Sequence, residues 1–286
     1  MYKVFSPKIE QPDIILYPDI VYSNPFNSFK QVTVPLTVNI LRPFYKIQEW
    51  EKLPLFIYLC GGAFRNSPPL RNIPELVYFA RRGYVVASVR YRVSSEGLFP
   101  APVQDVKAAI RFLKLHADEY GIDPERAVIG GHSAGAYLSV MAAATEGVEM
   151  FETKEWDGVS DAVQGAVCMS GGGCFLNDVE NPAKREIDPL ELLIGGKYEN
   201  HQEVLRAATA VNYLSDKTAP ILMIHGEYDN VTPLEQAREF CHRMEQAGVE
   251  ADFYEIPGAG HGTIELRQPE IHQIMLEFFD RVTEKK

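Results

Sequence analysis

Near the middle of the chain, Gly131-His132-Ser133-Ala134-Gly135 forms a G-x-S-x-G pattern inside "VIGGHSAGAYLSV" (128–140). The residues before it read as a strand and those after it as a helix, so Ser133 stands at a strand-to-helix corner. Its hydroxyl could simply cap the helix, as serines often do. A second reading follows from the small residues at 131 and 135. They permit a corner tight enough to push Oγ out above the strand end, with the N–H of Ala134 aimed at a developing oxyanion. That reading is acyl transfer by a serine nucleophile, and it requires partners.

A serine nucleophile needs a base, and the base needs an orienting carboxylate. "ILMIHGEYDNVTP" puts Asp229 just past a strand end, and "YEIPGAGHG" puts His261 past the next strand among glycines. The order Ser133, Asp229, His261 is the one expected when each partner sits in a loop after a later strand. Glu227 is nearer its strand, and Asp252 lies at the wrong end of its own. Of the other histidines, His225 reads as a structural ring at a strand end and His132 as a local packing group. His116, His201, His242 and His272 fall in helical patterns and read as surface residues. An earlier turn, Gly61-Gly62-Ala63 in "IYLCGGAF" (57–64), can bring backbone N–H groups to a substrate oxygen, although a plain glycine turn would look alike.

The elements that must position these groups alternate. "KLPLFIYLCGG" (52–62), "YVVASVRYR" (84–92), "ERAVIGG" (125–131), "VQGAVCMSGGG" (163–173), "APILMIHG" (219–226) and "ADFYEIPG" (251–258) are apolar runs stopped by glycine or polar residues. Such runs suit a parallel sheet covered on both faces. In "APVQDVKAAIRFLKLHADEYG", Val103, Val106, Ile110 and Leu113 recur at helical spacing, Pro102 suits the first turn and Gly121 ends it. Further helices are predicted at 134–145, 233–247 and 269–283. "QVTVPLTVNILRP" (31–43) partly alternates and predicts an antiparallel edge strand. The whole is a β-α-β series, hence an α/β fold with a mostly parallel sheet. Residues 174–218 exceed a simple crossover and carry two helical stretches, 188–196 and 201–214. They read as a lid over a site or as a decorated crossover.

Composition narrows the class without naming it. The chain has 286 residues, 46% hydrophobic and 23% charged, with no internal repeat or linker. That is enough for one large domain or two small ones. No apolar run approaches the roughly 18 residues of a membrane span, and Met1 to Glu10 lacks the pattern of a signal peptide, so a cytoplasmic protein is expected. The net charge of −11 argues against a nucleic-acid partner. Cys60, Cys168, Cys174 and Cys241 show no metal-ligand pairing; no metal or cofactor is expected. Nothing indicates an oligomeric state.

At this point the residues resemble a known family. "YRVSSEGLFPAPVQDVKAAIRFLKLHADEYGIDPERAVIGGHSAGAYLSVMAA", "HGEYDNVTP" and "PGAGHG" are similar to the α/β-hydrolase esterases and lipases related to hormone-sensitive lipase, within them the bacterial acetyl-xylan and feruloyl esterase branch. The resemblance covers about residues 50–283. It implies an α/β-hydrolase fold in one domain over 1–286, with 174–218 as a lid-like excursion. It also implies a serine carboxylesterase acting on short-chain esters, including acetylated or feruloylated carbohydrates. Carried over by position, Ser133 is the nucleophile, Asp229 orients, His261 is the base, and Gly62, Ala63 and Ala134 supply the oxyanion hole. One departure is clear: Cys60 stands where the family usually has the histidine of "HGGG". "GHSAGA" is also similar to arylformamidases, which cleave an N-formyl amide on the same fold. A ligand-binding protein that kept the fold without its chemistry is the third reading, and the presence of all three triad residues speaks against it.

Overall fold

The computed structural model describes residues 2–27, 29–45, 51–171 and 188–284. Its strands are β1 (Asp13–Ser23), β2 (Phe26–Asn27), β3 (Val32–Thr33), β4 (Leu36–Phe44) and β5 (Leu53–Leu59) in the first fifth of the chain. They continue as β6 (Val85–Val89), β7 (Ile122–His132), β8 (Gly165–Met169), β9 (Ile221–Gly226) and β10 (Ala251–Ile256). The helices are α1 (Ile73–Ala80), α2 (Ala101–Leu115), α3 (Ala117–Tyr120) and α4 (Ala134–Ala144), then α5 (Pro189–Ile194), α6 (Gln202–Ala207), α7 (Leu234–Gln246) and α8 (Pro269–Thr283).

Eight strands pair in the order β1-β4-β6-β5-β7-β8-β9-β10. From β6 to β10 every pairing is parallel, while β4 runs antiparallel to both β1 and β6. The period-2 alternation of strand side chains explains why both faces are covered. Leu55, Ile57 and Leu59 of β5 point to one face with Ala87 and Ile129, against α2, α4 and Phe240 of α7. Phe56 and Tyr58 point to the other with Val86, Val128 and Val167, against α1 and α8. The parallel sheet expected from the apolar runs is therefore the centre of a three-layer sandwich. No described helix is long and apolar enough to cross a membrane.

Two details differ from the sequence expectations. The edge strand predicted over 31–43 is not at the edge: β4 lies inside the sheet, almost wholly buried, and the edge is β1. β1 was hidden because its register slips between Tyr17 and Ile20 and again between Val21 and Ser23. Bulges of this kind break the alternation that a sequence pattern relies on. The single helix expected up to Gly121 is two, α2 and α3, divided at His116, whose Nδ1 faces the carbonyl of Phe112 at 2.8 Å. Gly121 does end the segment in the left-handed region (φ 62°).

The loop after β6 is pinned to α2 by a buried ion pair. Arg92 sends Nη2 to Oδ1 of Asp105 at 2.7 Å and Nε to Oδ2 at 2.9 Å, while its backbone N–H donates to Oδ2 at 2.8 Å. This anchors the "YR" strand end beside the loop that follows β5.

Candidate active site

The corner after β7 is strained as the motif requires. Ser133 has φ 55° and ψ −119°, a conformation that costs on the order of 1–3 kcal/mol for a residue with a side chain. The surrounding packing imposes it. A Cβ at Gly135 would drive into the carbonyl of Leu59 on β5, and one at Gly131 would collide with the same carbonyl and with the Gly135 backbone. The elbow is thus pressed directly onto the neighbouring strand. α4 behind it is buried on all sides, so the serine is fixed by rigid elements.

The ends of β7, β9 and β10 bring three residues together. His261 Nε2 lies 3.0 Å from Ser133 Oγ, and His261 Nδ1 lies 2.9 Å from Asp229 Oδ2 and 3.1 Å from Oδ1. Asp229 accepts further bonds from the N–H groups of Val231 (2.9 Å) and Thr232 (2.8 Å) and from the Thr232 hydroxyl (2.9 Å). Burial opposes its charge, but the bonds from His261, Thr232 and Val231 outweigh burial and hold the carboxyl down at about 2. It is an anion at any neutral pH, presented to the Nδ1 side of the ring.

The alternatives weighed for these roles are engaged elsewhere. Glu227 accepts from the N–H of Gly258 at 2.9 Å, and Asp252 pairs with Arg281. His225 is a buried structural ring: its Nε2 lies 2.7 Å from the Thr232 carbonyl, which can only accept, so that nitrogen carries the proton. His132 packs against His261 with ring centroids 4.8 Å apart. Burial, together with repulsion from His261 and Arg267, pushes it down to about 3, so it stays neutral. His272 corrects the surface reading. It is buried on α8, with Nε2 3.1 Å from Glu75 Oε1, and it links α8 to α1. His242 is exposed as expected, while His116 is half-buried against Phe112 and Trp156.

The loop after β5 supplies the opposite wall. Gly62 and Ala63 offer N–H groups that no backbone carbonyl takes among the described residues, and Ala134 opens α4 beside them. Gly62 must be glycine because a Cβ there would strike the Asn66 carbonyl; Ala63 and Phe64 both take positive φ, 52° and 55°. Where the family's histidine would stand, Cys60 is buried, its Sγ 3.2 Å from the Gly61 carbonyl and 3.5 Å from Asn72 Oδ1. Burial outweighs the nearby Arg71 and pushes its thiol up, so it is held protonated. The loop is instead tied by Tyr91, whose hydroxyl donates to the Cys60 carbonyl at 2.7 Å, and by Arg71, whose Nη1 lies 3.4 Å from the Gly61 carbonyl. Neither tie was read from sequence; Tyr91 was visible only as part of "YRVSS".

These residues open into a cleft of about 720 Å³ that is also lined by Asp188, Pro189 and Leu190 at the start of α5. The two helical stretches expected in the excursion are α5 and α6, the second continuing as a short 3-10 turn at Ala210–Tyr213. Residues 174–187, the first part of the excursion with Cys174, lie outside the described residues. Among the described residues, no cluster of potential metal ligands occurs.

A mostly parallel sheet with an elbow serine at the end of its central strand is the architecture of the α/β hydrolases. The chain belongs to the BD-FAE family, whose model matches residues 44–244. It is 31% identical over 212 residues to the esterase LipC of Mycobacterium tuberculosis, covering 73% of this chain and 53% of LipC. The chain spans about half the length of the curated relatives it matches. Among solved structures it resembles a truncated carbohydrate esterase from gut microbiota, with 25% identity and a TM-score of 0.80 over 98% of this chain and 99% of the other. It also resembles the propionate-bound esterase Est2 of Thermogutta terrifontis, with 26% identity and a TM-score of 0.72 over 98% of each chain.

Proposed function

We propose that this protein is a carboxylic ester hydrolase that works through an acyl-enzyme on Ser133. The observation that carries the reading is the 3.0 Å approach of His261 Nε2 to Ser133 Oγ at a strained elbow, with an ionised Asp229 on the other ring nitrogen. In this mechanism Oγ attacks the ester carbonyl as His261 takes its proton. The N–H groups of Gly62, Ala63 and Ala134 hold the negative oxygen. His261, now an imidazolium stabilised by Asp229, protonates the leaving alcohol. A water activated by the same histidine then releases the acid.

The acyl group in this reading is short and the alcohol polar, including acetylated carbohydrates. The supports are the open cleft of about 720 Å³ and the names of the neighbours, one a carbohydrate esterase and one bound to propionate. The test is a comparison of kcat/KM for p-nitrophenyl acetate, an acetylated xylo-oligosaccharide and N-formylkynurenine. Esters are expected to be the better substrates. A formyl amide preferred by more than about tenfold, roughly 1.4 kcal/mol of transition-state binding, would replace the ester reading with a formamidase.

A further inference from the structure

Three arginines surround the cleft in a chain whose balance is strongly acidic. Arg65 and Arg71 stand on the loop after β5, and Arg267 ends the short 3-10 turn after His261. Against them, the described lining residues offer one acidic group, Asp188, which is already committed to the N-terminus of α5, where it accepts from Leu190 N–H at 2.7 Å. Most of the other described arginines are committed to carboxylates: Arg90 to Glu96, Arg92 to Asp105, Arg111 to Asp161, Arg126 to Asp123, Arg238 to Glu255, Arg243 to Glu239 and Arg281 to Asp252. None of the three at the cleft forms an ion pair with a described residue, and the guanidiniums of Arg65 and Arg267 have no hydrogen-bond acceptor among them either. Arg71 and Arg267 also share a small recess beneath the Gly61 turn with Glu75, whose carboxylate accepts from Asn72 (3.0 Å), lies 3.1 Å from His272 Nε2 and feels the charge of Arg267 without forming an ion pair with it.

We infer that the cleft selects esters that carry a carboxylate close to the scissile bond, and that Arg65 and Arg267 are its specificity-determining groups. This rests on the ester-hydrolase reading above and narrows its substrate. A guanidinium left without an acceptor presents a planar fork that matches a carboxylate in two parallel hydrogen bonds, which an ammonium cannot do. Arg65 and Arg267 come from two different loops that both line the cleft holding Ser133, so the carboxylate they take is sought on both the alcohol and the acyl side of the ester. The charged rim also raises the local concentration of an anion that the net charge of −11 would otherwise repel. Each exposed pair contributes modestly, on the order of two- to fivefold, and two acting together reach about tenfold.

Two matched pairs of esters test this and separate the two sides. On the alcohol side the pair is 4-acetoxybenzoate and its methyl ester; on the acyl side it is mono-4-nitrophenyl adipate and its methyl ester. Each kcat/KM is normalised to the compound's own alkaline hydrolysis rate. The anionic member of at least one pair is expected to be favoured about tenfold, and the preference to shrink in about 0.5 M NaCl, where the screening length falls to a few ångströms. The double variant Arg65→Gln/Arg267→Gln should lose most of it. Arg71 is left in place because it contacts the Gly61 carbonyl. The readout is a ratio within one preparation, so partial loss of folded protein cancels. Neutral esters hydrolysed as well as anionic ones in both pairs, or a preference that survives the double variant, overturns the inference and leaves the hydrolase reading intact. No turnover of any of the four overturns both.

Discussion

His132 and His261 lie ring against ring, 4.8 Å between centroids, yet the two imidazoles are set to opposite duties. His261 reaches Ser133 with one nitrogen and Asp229 with the other. His132, within the elbow, is packed between the Gly61 turn and Gly262, and its Nε2 is buried without a hydrogen-bond partner in the described structure. A second positive charge beside a protonated His261 would raise the cost of the imidazolium, and the burial of His132 prevents it.

That burial has a measurable cost in acid. An unfolded histidine takes up a proton near pH 6.5, whereas His132 in the fold does so only at about 3. Between those values the unfolded chain binds the extra proton, so stability is lost as pH falls through that window. Melting temperatures of the wild type and His132→Asn from pH 7.5 to 4 should converge on acidification, because the variant lacks this titration. Parallel curves would show that His132 is not held neutral.

Ser133→Ala should lower kcat by about 10⁴–10⁶ with the fold retained. Asp229→Asn should lower it by about 10⁴, since the amide no longer stabilises the imidazolium or fixes the tautomer. Circular dichroism alongside steady-state rates separates lost chemistry from lost structure. Either variant keeping a tenth of wild-type activity would falsify the proposed roles.

Cys60 is expected to be dispensable as a nucleophile, because burial keeps its thiol protonated and its Sγ points at Asn72 and Gly61 rather than into the cleft. Cys60→Ser should still trap an acyl group when quenched during turnover. Peptide mass spectrometry should find that group on Ser133; finding it on Cys60 in the wild type would reverse the assignment.

Tyr91→Phe removes the donor to the Cys60 carbonyl and leaves a buried acceptor unpaired, at a cost of about 1–3 kcal/mol. Because that carbonyl begins the turn carrying Gly62 and Ala63, kcat should fall more than KM rises. A variant with lowered melting temperature but unchanged kcat would mean that Tyr91 stabilises the fold without positioning the loop.

The parallel strands and the meeting of Ser133, Asp229 and His261 in space were legible because both obey local rules. Buried strands are short apolar runs, and Ser133, Asp229 and His261 each follow such a run in a glycine- or turn-rich loop. β1 was not legible, since two register slips and charged or exposed positions erase its alternation. His272 was misread because helical periodicity cannot tell a solvated face from one packed on another helix, here α1. The tie from Tyr91 to Cys60 spans 31 residues and depends on how two strand ends meet. The cluster of Arg65, Arg71 and Arg267 is likewise scattered in sequence and exists only in the folded cleft.

The two borders of the sheet carry a further consequence. β10 sets Asp252 and Glu255 along the outer strand, each paired to an arginine from the helices beside it. β1 carries two register slips, and Asp19 within it takes a positive φ of 50°. A foreign strand docking on β10 would have to lie beside these ion pairs, and one docking on β1 would meet a ladder out of step with its own. A sheet with so apolar a centre is thereby kept from growing by strand addition into aggregates, with charge guarding one border and irregular geometry the other.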